Sequence, residues 1–279
     1  MHKLLTGKLT VERLQIPIAG LPSQLQGLRL VQLSDFHFDG IRLSKLLLAE
    51  AIAACNAAQP DLILLTGDFI TDDPTPIHDL AHHLTTLKSR VGTYAVLGNH
   101  DIRYAHSRPE VTQALNESGI QVLWNEVVYP LGDELAIVGL ADYWSREFQP
   151  APVFAQVHAE TPRIVLSHNP DTAEHLKKWR VDLQLSGHTH GGQVFVPGVG
   201  NMAHHTSTFY RNLPKRVKRW VPLLKECAQT MKHWEWAQGL HHVGDNQLYV
   251  NRGLGTYLPG RVCCPPEVTV VTLVATPSY

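Results

Sequence analysis

LRLVQLSDFHF, residues 28–38, is an apolar run that breaks at Ser34, with Asp35 and His37 two positions apart beyond it. A nearly continuous run of Leu and Val of this length predicts a strand covered on both faces. Asp35 and His37 alternate at its end, so the spacing predicts that both project to one side. The same arrangement recurs along the chain. DLILLTG leads to Asp68, TYAVLG to Asn99-His100-Asp101, RIVLS to His168-Asn169, and VDLQLSG to His188-Thr189-His190. Ligand-type residues at successive strand ends can converge on one edge of a sheet, where α/β proteins build their sites.

The stretches between these runs complete an alternation of strands and helices. Residues 43–58, rich in Leu and Ala and stopped before Pro60, predict a helix, as do residues 77–89 and residues 109–118, the last ended by Gly119. Short strands follow in IQVL, EVVYPL and ELAIVGL, separated by Asn125 and a Gly132-Asp133 turn. A helix is expected before RIVLS and another over residues 171–179. QLYVNRG and EVTVVTLV close the chain as strands, and residues 9–18 read as an edge strand. Alternation followed by a meander predicts an α/β sandwich of two mixed sheets with helices outside both. There is no internal repeat. Because the motifs between residues 35 and 190 must share one site, residues 1–279 are read as one domain. Residues 203–236 depart from the pattern. They are polar, aromatic and basic, follow the His188/His190 loop directly, and are expected to overhang the site as an insertion.

Of the 279 residues, 44% are hydrophobic, enough for a substantial core without staples. The net charge of −1 offers no basic field for nucleic acid, so no nucleic-acid partner is expected. Cys55, Cys227, Cys263 and Cys264 show no framework spacing, which suits free thiols in a reducing compartment. Cys263 and Cys264 are read as two small buried residues beside Pro265-Pro266, the other reading being a redox-active pair. Met1–Lys8 carries no signal-type apolar stretch and no twin arginine, and no window approaches about 20 apolar residues. The expected location is cytoplasmic. Within residues 214–225, Lys215, Arg216, Lys218 and Arg219 adjoin Trp220, Val221, Leu223 and Leu224. That composition suits a short interfacial helix making peripheral membrane contact, although Pro222 would interrupt it; the other reading is a solvated insertion.

Two carboxylates, one amide and four imidazoles, without thiolate, are the donor set of a two-metal hydrolase. They suit Mn²⁺, Fe or Zn²⁺. Asp68, alone after Gly67, is the natural bridge between two ions. A pair of ions lowers the pKa of a shared water, so hydroxide can attack phosphorus with no serine or cysteine nucleophile. His100 is left over once ligands are counted. It suits a general acid for the leaving alkoxide or a donor to a non-bridging oxygen, with the Asp101 carboxylate able to orient its ring. Asp39-Gly40 reads as a turn, Asp142 as a loop cap, and Asn169 as a residue orienting the His168 loop. Arg252 and Arg261 could each grip a phosphate or serve as a structural ion-pair partner. The remaining histidines, among them His78, His82-His83 and His241-His242, have no place in the site. His204 and His205 could touch substrate.

Together these blocks resemble the calcineurin-like metallophosphoesterase superfamily, whose Asp-x-His, Gly-Asp, Gly-Asn-His-(Asp/Glu), lone His and Gly-His-x-His motifs all occur here in order. The resemblance covers roughly residues 28 to 274. It implies a four-layer αββα sandwich with a dinuclear centre at its top. It further implies one ion on Asp35, His37, Asp68 and His190, and another on Asp68, Asn99, His168 and His188, with His100 near the leaving group. SDFHFDG, SHNPD, GHTHGGQ, and NRGLG followed by PPEVTV are similar to one bacterial branch. Its members include phosphodiesterases, often exported or membrane-associated, and enzymes that cleave the pyrophosphate of acylated UDP-glucosamine. The expected function is hydrolysis of a phosphodiester or pyrophosphate in a small or lipid-linked substrate, by attack of a metal-bridging hydroxide. The alternatives are a UDP-diacylglucosamine-type pyrophosphatase at the membrane surface and a non-catalytic metal-binding scaffold. No protein partner is inferable.

Overall fold

The computed structural model describes residues 5–276, except for the side chains of Pro222, Leu223, Glu226 and Cys227. Residues 1–4 of the N-terminal reading, the Leu223 side chain and the Cys227 thiol lie outside the described residues. Strand β1 spans Thr10–Ile18, β2 Arg29–Leu33, β3 Leu62–Leu65, β4 Gly92–Ala95 and β5 Ile120–Val122. With the last strand, β14 (Glu267–Ala275), they form a sheet in the order β1-β14-β2-β3-β4-β5. The run from β2 to β5 is parallel, β14 is antiparallel to β2, and β1 lies parallel to β14 at the edge.

The second sheet contains β6 (Glu126–Val128), β7 (Ala136–Gly139), β8 (Arg163–Leu166), β9 (Leu183–Ser186), β12 (Gly239–Val243) and β13 (Asn246–Val250). Its order is β12-β13-β9-β8-β7-β6, parallel through its centre with an antiparallel strand at each edge. A two-strand ladder pairs β10 (Phe195–Val196) with β11 (Gly200–Asn201). Neither this ladder nor β12 carries a strong apolar pattern, and neither was expected from the sequence.

The period-two alternation of each strand decides which layer it serves. Leu30, Leu62 and Leu64 face the second sheet and meet Ile137, Ile164, Leu166, Leu183 and Leu185. Val31, Leu33, Ile63 and Leu65 face outward onto helices α1 (Lys45–Ala57), α2 (Ile77–Leu84) and α3 (Ser107–Glu117). Helix α1 starts where Ser44 accepts a hydrogen bond from the Leu47 amide at 3.2 Å, and buries Leu48, Ala51, Ile52 and Cys55 at helical spacing. On the far side, Ala136, Val138 and Val165 pack on α4 (Pro150–Phe154) and on Leu176 of α5 (Thr172–Leu176). The result is helices, two mixed sheets and helices, in four layers.

Residues 202–236 fold as α6 (Met202–Asn212), α7 (Lys215–Lys218), α8 (Pro222–Thr230) and a 3₁₀ turn at Trp234–Trp236. The helix considered over 214–225 is interrupted at Pro222, as that residue suggested, and forms two helices. Pro222 lacks an amide hydrogen and pushes Val221 out of the α region, to φ −128° and ψ 61°. Cys264 is buried, but Cys263 is exposed, so only one of the pair behaves as a core residue. Among the described residues no helix is long and apolar enough to cross a membrane.

Leu64 is fully buried between the sheets. Leu64→Ala is expected to destabilise the protein by about 2–5 kcal/mol, read from the urea midpoint. A change below about 1 kcal/mol would mean that the inter-sheet layer is not closely packed there.

Candidate metal centre

The strands β2, β3 and β4 of one sheet and β8 and β9 of the other end at a common edge, and the candidate residues lie just beyond those ends. Gln32 crosses between the sheets there, donating to the Ser186 carbonyl at 2.9 Å. The Asp35 amide bonds the Gly67 carbonyl at 2.9 Å, and Gly187 bonds the His168 carbonyl at 3.0 Å. These loops are not continuations of the pleat. Asp35, His37, Asp68, His188 and His190 all have positive φ, between 43° and 71°. Asp35 and His37 therefore do not alternate on a strand in the way the spacing predicts, and neither do His188 and His190. Such conformations cost on the order of 1–3 kcal/mol each in non-glycine residues and concentrate at functional sites.

The side chains converge. Asp35, His37 and His190 form one group, His37, Asp68 and His100 a second, and Asp68, His168 and His188 a third, each with ligand atoms within 4.8 Å of one another. Asp68 Oδ2 lies 3.4 Å from His37 Nε2 and 3.1 Å from His168 Nε2. Asp68 Oδ1 accepts from the His100 amide at 2.9 Å. Asp35 accepts from the His188 amide and sits 3.5 Å from His190 Nε2. Asn99 lines the same cavity of about 360 Å³ together with His37, Asp68, His100, His188 and His190.

The outer ring nitrogens determine what the inner ones can do. His168 Nδ1 meets the Thr66 carbonyl at 2.6 Å and His190 Nδ1 the Gly255 carbonyl at 3.0 Å. A carbonyl can only accept, so in the neutral rings those nitrogens carry the hydrogen and Nε2 presents a lone pair inward. His188 is turned over: its Nε2 meets the Thr230 carbonyl at 3.0 Å, which leaves Nδ1 for the site. His190 Nε2 and His37 Nε2 stand 3.1 Å apart. Asn99 Oδ1 is buried with no hydrogen-bond partner, and His168 Nε2 has none of acceptable geometry. Buried acceptors aimed at one another are costly unless a cation lies among them, so these residues fit a divalent pair.

The electrostatics agree. Burial opposes ionisation of Asp68, yet His168 and His100 hold its pKa well below the usual carboxylate range. Against its own burial, His168 is drawn up to about 10 by Asp68. Burial, then the charge on His168, push His188 down to about 4, and burial with His37 beside it holds His190 well below its ordinary value. A firmly charged carboxylate beside His188 and His190, both held neutral, and a His168 drawn to positive charge by Asp68 is a pattern that a bound cation would satisfy.

Asp101 lies behind the centre. Its carboxylate accepts from the amides of Asp68, Phe69 and Gly98 at 2.8 Å and of Ile70 at 3.2 Å. It ties the Asp68 loop to the Asn99 loop and does not meet the His100 ring, whose Nδ1 lies 2.5 Å from the Thr71 carbonyl. Arg252 pairs with Glu12 and Glu267, and the buried Arg261 donates to the carbonyls of Arg252, Gly253 and Gly255, so both serve the scaffold. Asp142 caps its loop through the Trp144 amide, Asn169 accepts from the Asp171 amide, and Asp39 accepts from the amides of its own turn. His205 bonds the Val199 carbonyl, and neither His204 nor His205 lines the cavity.

Four contributors were not singled out from the sequence. Tyr257 Oη lies 3.1 Å from His37 Nδ1, Trp144 stands edge-on to His188 with centroids 5.0 Å apart, and Thr230 and Trp234 line the cleft. Tyr257 follows NRGLG by two residues, which was the available signal for it. Trp144 and Thr230 carry none.

The sequence model of the calcineurin-like phosphoesterases matches residues 28–192, which contain every residue of the cluster. The chain belongs to that family. Phosphodiesterase YaeI of Escherichia coli (strain K12) is 33% identical over 88% of this chain and 82% of its own. UDP-2,3-diacylglucosamine pyrophosphatase LpxG of Chlamydia trachomatis serovar D is 28% identical over 94% of this chain and 88% of its own. The uncharacterized metallophosphoesterase YkuE of Bacillus subtilis (strain 168) is 30% identical over 92% and 82%. One solved structure superposes with a TM-score of 0.50 at 10% identity, over 80% of this chain and 90% of that one, a likeness of fold alone. The protein is accordingly a phosphoric ester hydrolase of a family that uses divalent metals.

Asp101→Asn keeps the shape but turns an acceptor into a donor against backbone amides. It is expected to cost about 1–3 kcal/mol of stability in urea. Metal content should fall with it, because the Asp68 and Asn99 loops lose their tie. An unchanged midpoint and full metal content would show that the tie is dispensable.

Proposed function

We propose that the chain hydrolyses a phosphodiester or pyrophosphate with two divalent ions, Mn, Fe or Zn. One would be held by Asp35, His37, Asp68 and His190, the other by Asp68, Asn99, His168 and His188. The observation that carries this reading is the convergence of seven donor side chains, among which the rings of His168, His188 and His190 are oriented by backbone carbonyls. When bound, such a pair supplies Lewis-acid charge for the phosphoryl oxygens and lowers the pKa of water.

His100 is the group left for proton transfer. Its Nδ1 is engaged by Thr71, so Nε2 is the nitrogen available to a leaving oxygen in the cleft. Burial, with His37 and His168 nearby, holds its pKa below the ordinary histidine value although Asp68 opposes this, which makes its imidazolium a stronger acid than a solvated one. Thr66 and Gly255 fix the rings of His168 and His190, so the donor set is preorganised.

The test uses protein stripped of metal and reloaded with Mn²⁺, acting on bis(p-nitrophenyl) phosphate. His100→Ala is expected to lower kcat by about 10²–10⁴-fold with metal content unchanged. Equal turnover in the variant would remove His100 from the chemistry, and full turnover by the stripped protein would remove the ions.

A second reading, cleavage of an acylated nucleotide pyrophosphate at a membrane surface, is supported by the similarity to LpxG and by the stretch beside the cleft. Between residues 203 and 236 there are seven Lys or Arg against two Glu. Trp220 beside Arg219 is 73% exposed, and Phe209 is also exposed. Cations next to exposed aromatics favour the anionic cytoplasmic leaflet. Replacing Lys215, Arg216, Lys218 and Arg219 with Gln should abolish co-sedimentation with phosphatidylserine liposomes. Identical soluble fractions of both proteins would sink the membrane contact.

A further inference from the structure

Beyond Tyr257 the cleft adjoins a groove of about 490 Å³ lined by Leu5, Ile41, Arg42, Thr256, Tyr257 and Leu258. Tyr257 belongs to both cavities, with its hydroxyl on His37 and its ring under the Arg42 guanidinium at 4.4 Å. Ile41 is 76% exposed and Leu258 82%, on two separate loops that meet at this groove. Hydrogen bonding between the Thr256 amide and the Arg42 carbonyl, at 3.0 Å, ties those loops together. The Arg261 side chain, cradled by carbonyls, holds the second loop from below through Thr256 Oγ1. Arg42, the one charged side chain of the lining, is already paired with Asp39. Past Thr6 the groove is followed by a second hollow of about 520 Å³, with Leu9, Leu46 and Leu47 in its wall and Lys8 and Glu50 among its lining residues.

Aliphatic side chains this exposed are ordinary when scattered singly. Here they stand on a tied pair of loops, directly off the reaction cleft, around a neutralised charge. We infer that this groove receives an aliphatic chain of the substrate itself, so that the enzyme acts on amphipathic phosphoesters whose phosphorus lies in the metal cleft and whose hydrocarbon runs past Tyr257 along Ile41 and Leu258. The inference rests on the hydrolytic reading above. Its occupant is chosen by continuity: a group lying in the groove is one wall away from the scissile bond. Each methylene withdrawn from water in the groove favours the longer ester.

The experiment compares p-nitrophenyl methyl phosphate with p-nitrophenyl decyl phosphate, both below the critical micelle concentration. Wild-type protein should show kcat/KM at least about tenfold higher for the decyl ester. In the Ile41→Ser/Leu258→Ser double variant the ratio should fall to within about twofold of unity, while Ile41→Val/Leu258→Met should keep it. Calorimetry with decyl phosphate and methyl phosphate gives a readout without turnover, and the decyl compound should bind with the more negative heat capacity change. Equal kcat/KM and equal affinities for the two chain lengths overturn the groove and leave the hydrolytic reading in place. Chain-dependent binding without hydrolysis of either ester keeps the groove and removes the reaction. A double variant that retains the chain preference of monomeric substrate but loses liposome binding also overturns the proposal, because the two side chains would then serve a bilayer contact.

Discussion

The Asp68 carboxylate is buried where the strand ends of two sheets meet, and a carboxylate there remains ionised only with positive charge beside it. No Lys or Arg lies among the described residues lining the cleft; the nearest partners of Asp68 are His37 and His168. His168, drawn up to about 10 by Asp68, supplies that charge through Nε2, a role that a divalent cation bound there would take over. The arrangement is coherent as a receptor for cations and incoherent as a solvated pocket. The loop geometry, the ring orientations and the placement of His100 follow from that demand.

Meeting it requires backbone that most residues avoid. Five of the site residues occupy the left-handed region, and glycine could not replace them there without removing a side chain of the proposed donor set. The cost is offset locally. Asp101 gathers four amides from two loops, and Asp35 receives the His188 amide across the sheets. Neighbouring glycines permit the close approach: a Cβ on Gly98 would lie 2.2 Å from Asp68 Oδ1, and one on Gly187 2.2 Å from Asp35 Oδ2. Gly67, at φ 92°, is left-handed as well as crowded. The Gly-Asp, Gly-Asn-His and Gly-His-x-His pairings thus have a steric reason as well as a chemical one.

That coupling explains what could be read from the chain. Parallel strands buried on both faces announce themselves as apolar runs, and ligands placed at their ends sit at fixed offsets, so β2, β3, β8 and β9 and the eight cleft residues were legible. The left-handed turns were not, because Asp35-Phe36-His37 looks identical in sequence whether it continues a pleat or coils. Asp101 was misjudged for a related reason: adjacency to His100 suggests a shared task, but the chain direction carries its carboxylate back to the amides of Asp68 and Gly98. Tyr257 and Trp144 reach the cleft from loops far away in sequence, where one aromatic among ordinary turn residues leaves no pattern. Residues 203–236 could be marked as unusual from composition and Pro222 as a break within them, whereas the placement of the Thr230 carbonyl on His188 depends on packing.

The two flanks of the cleft differ in kind, and this asymmetry limits what can lie across it. Trp144 is shared between the cleft and two neighbouring hollows. One is lined by Asp171, Glu174, Arg211 and Lys232, the other by Arg108, Arg146 and Glu147. On the opposite flank, past Tyr257, the lining is Leu5, Ile41 and Leu258 with a paired Arg42. A substrate with polar groups on both sides of its phosphorus would leave one of them against hydrocarbon without hydrogen-bond partners, and a wholly apolar one would desolvate the charges near Trp144. A molecule polar at one end and aliphatic at the other satisfies both flanks, and it can do so in only one orientation. On the proposed reading, solvation on the two flanks would then decide which side of the phosphorus faces His100.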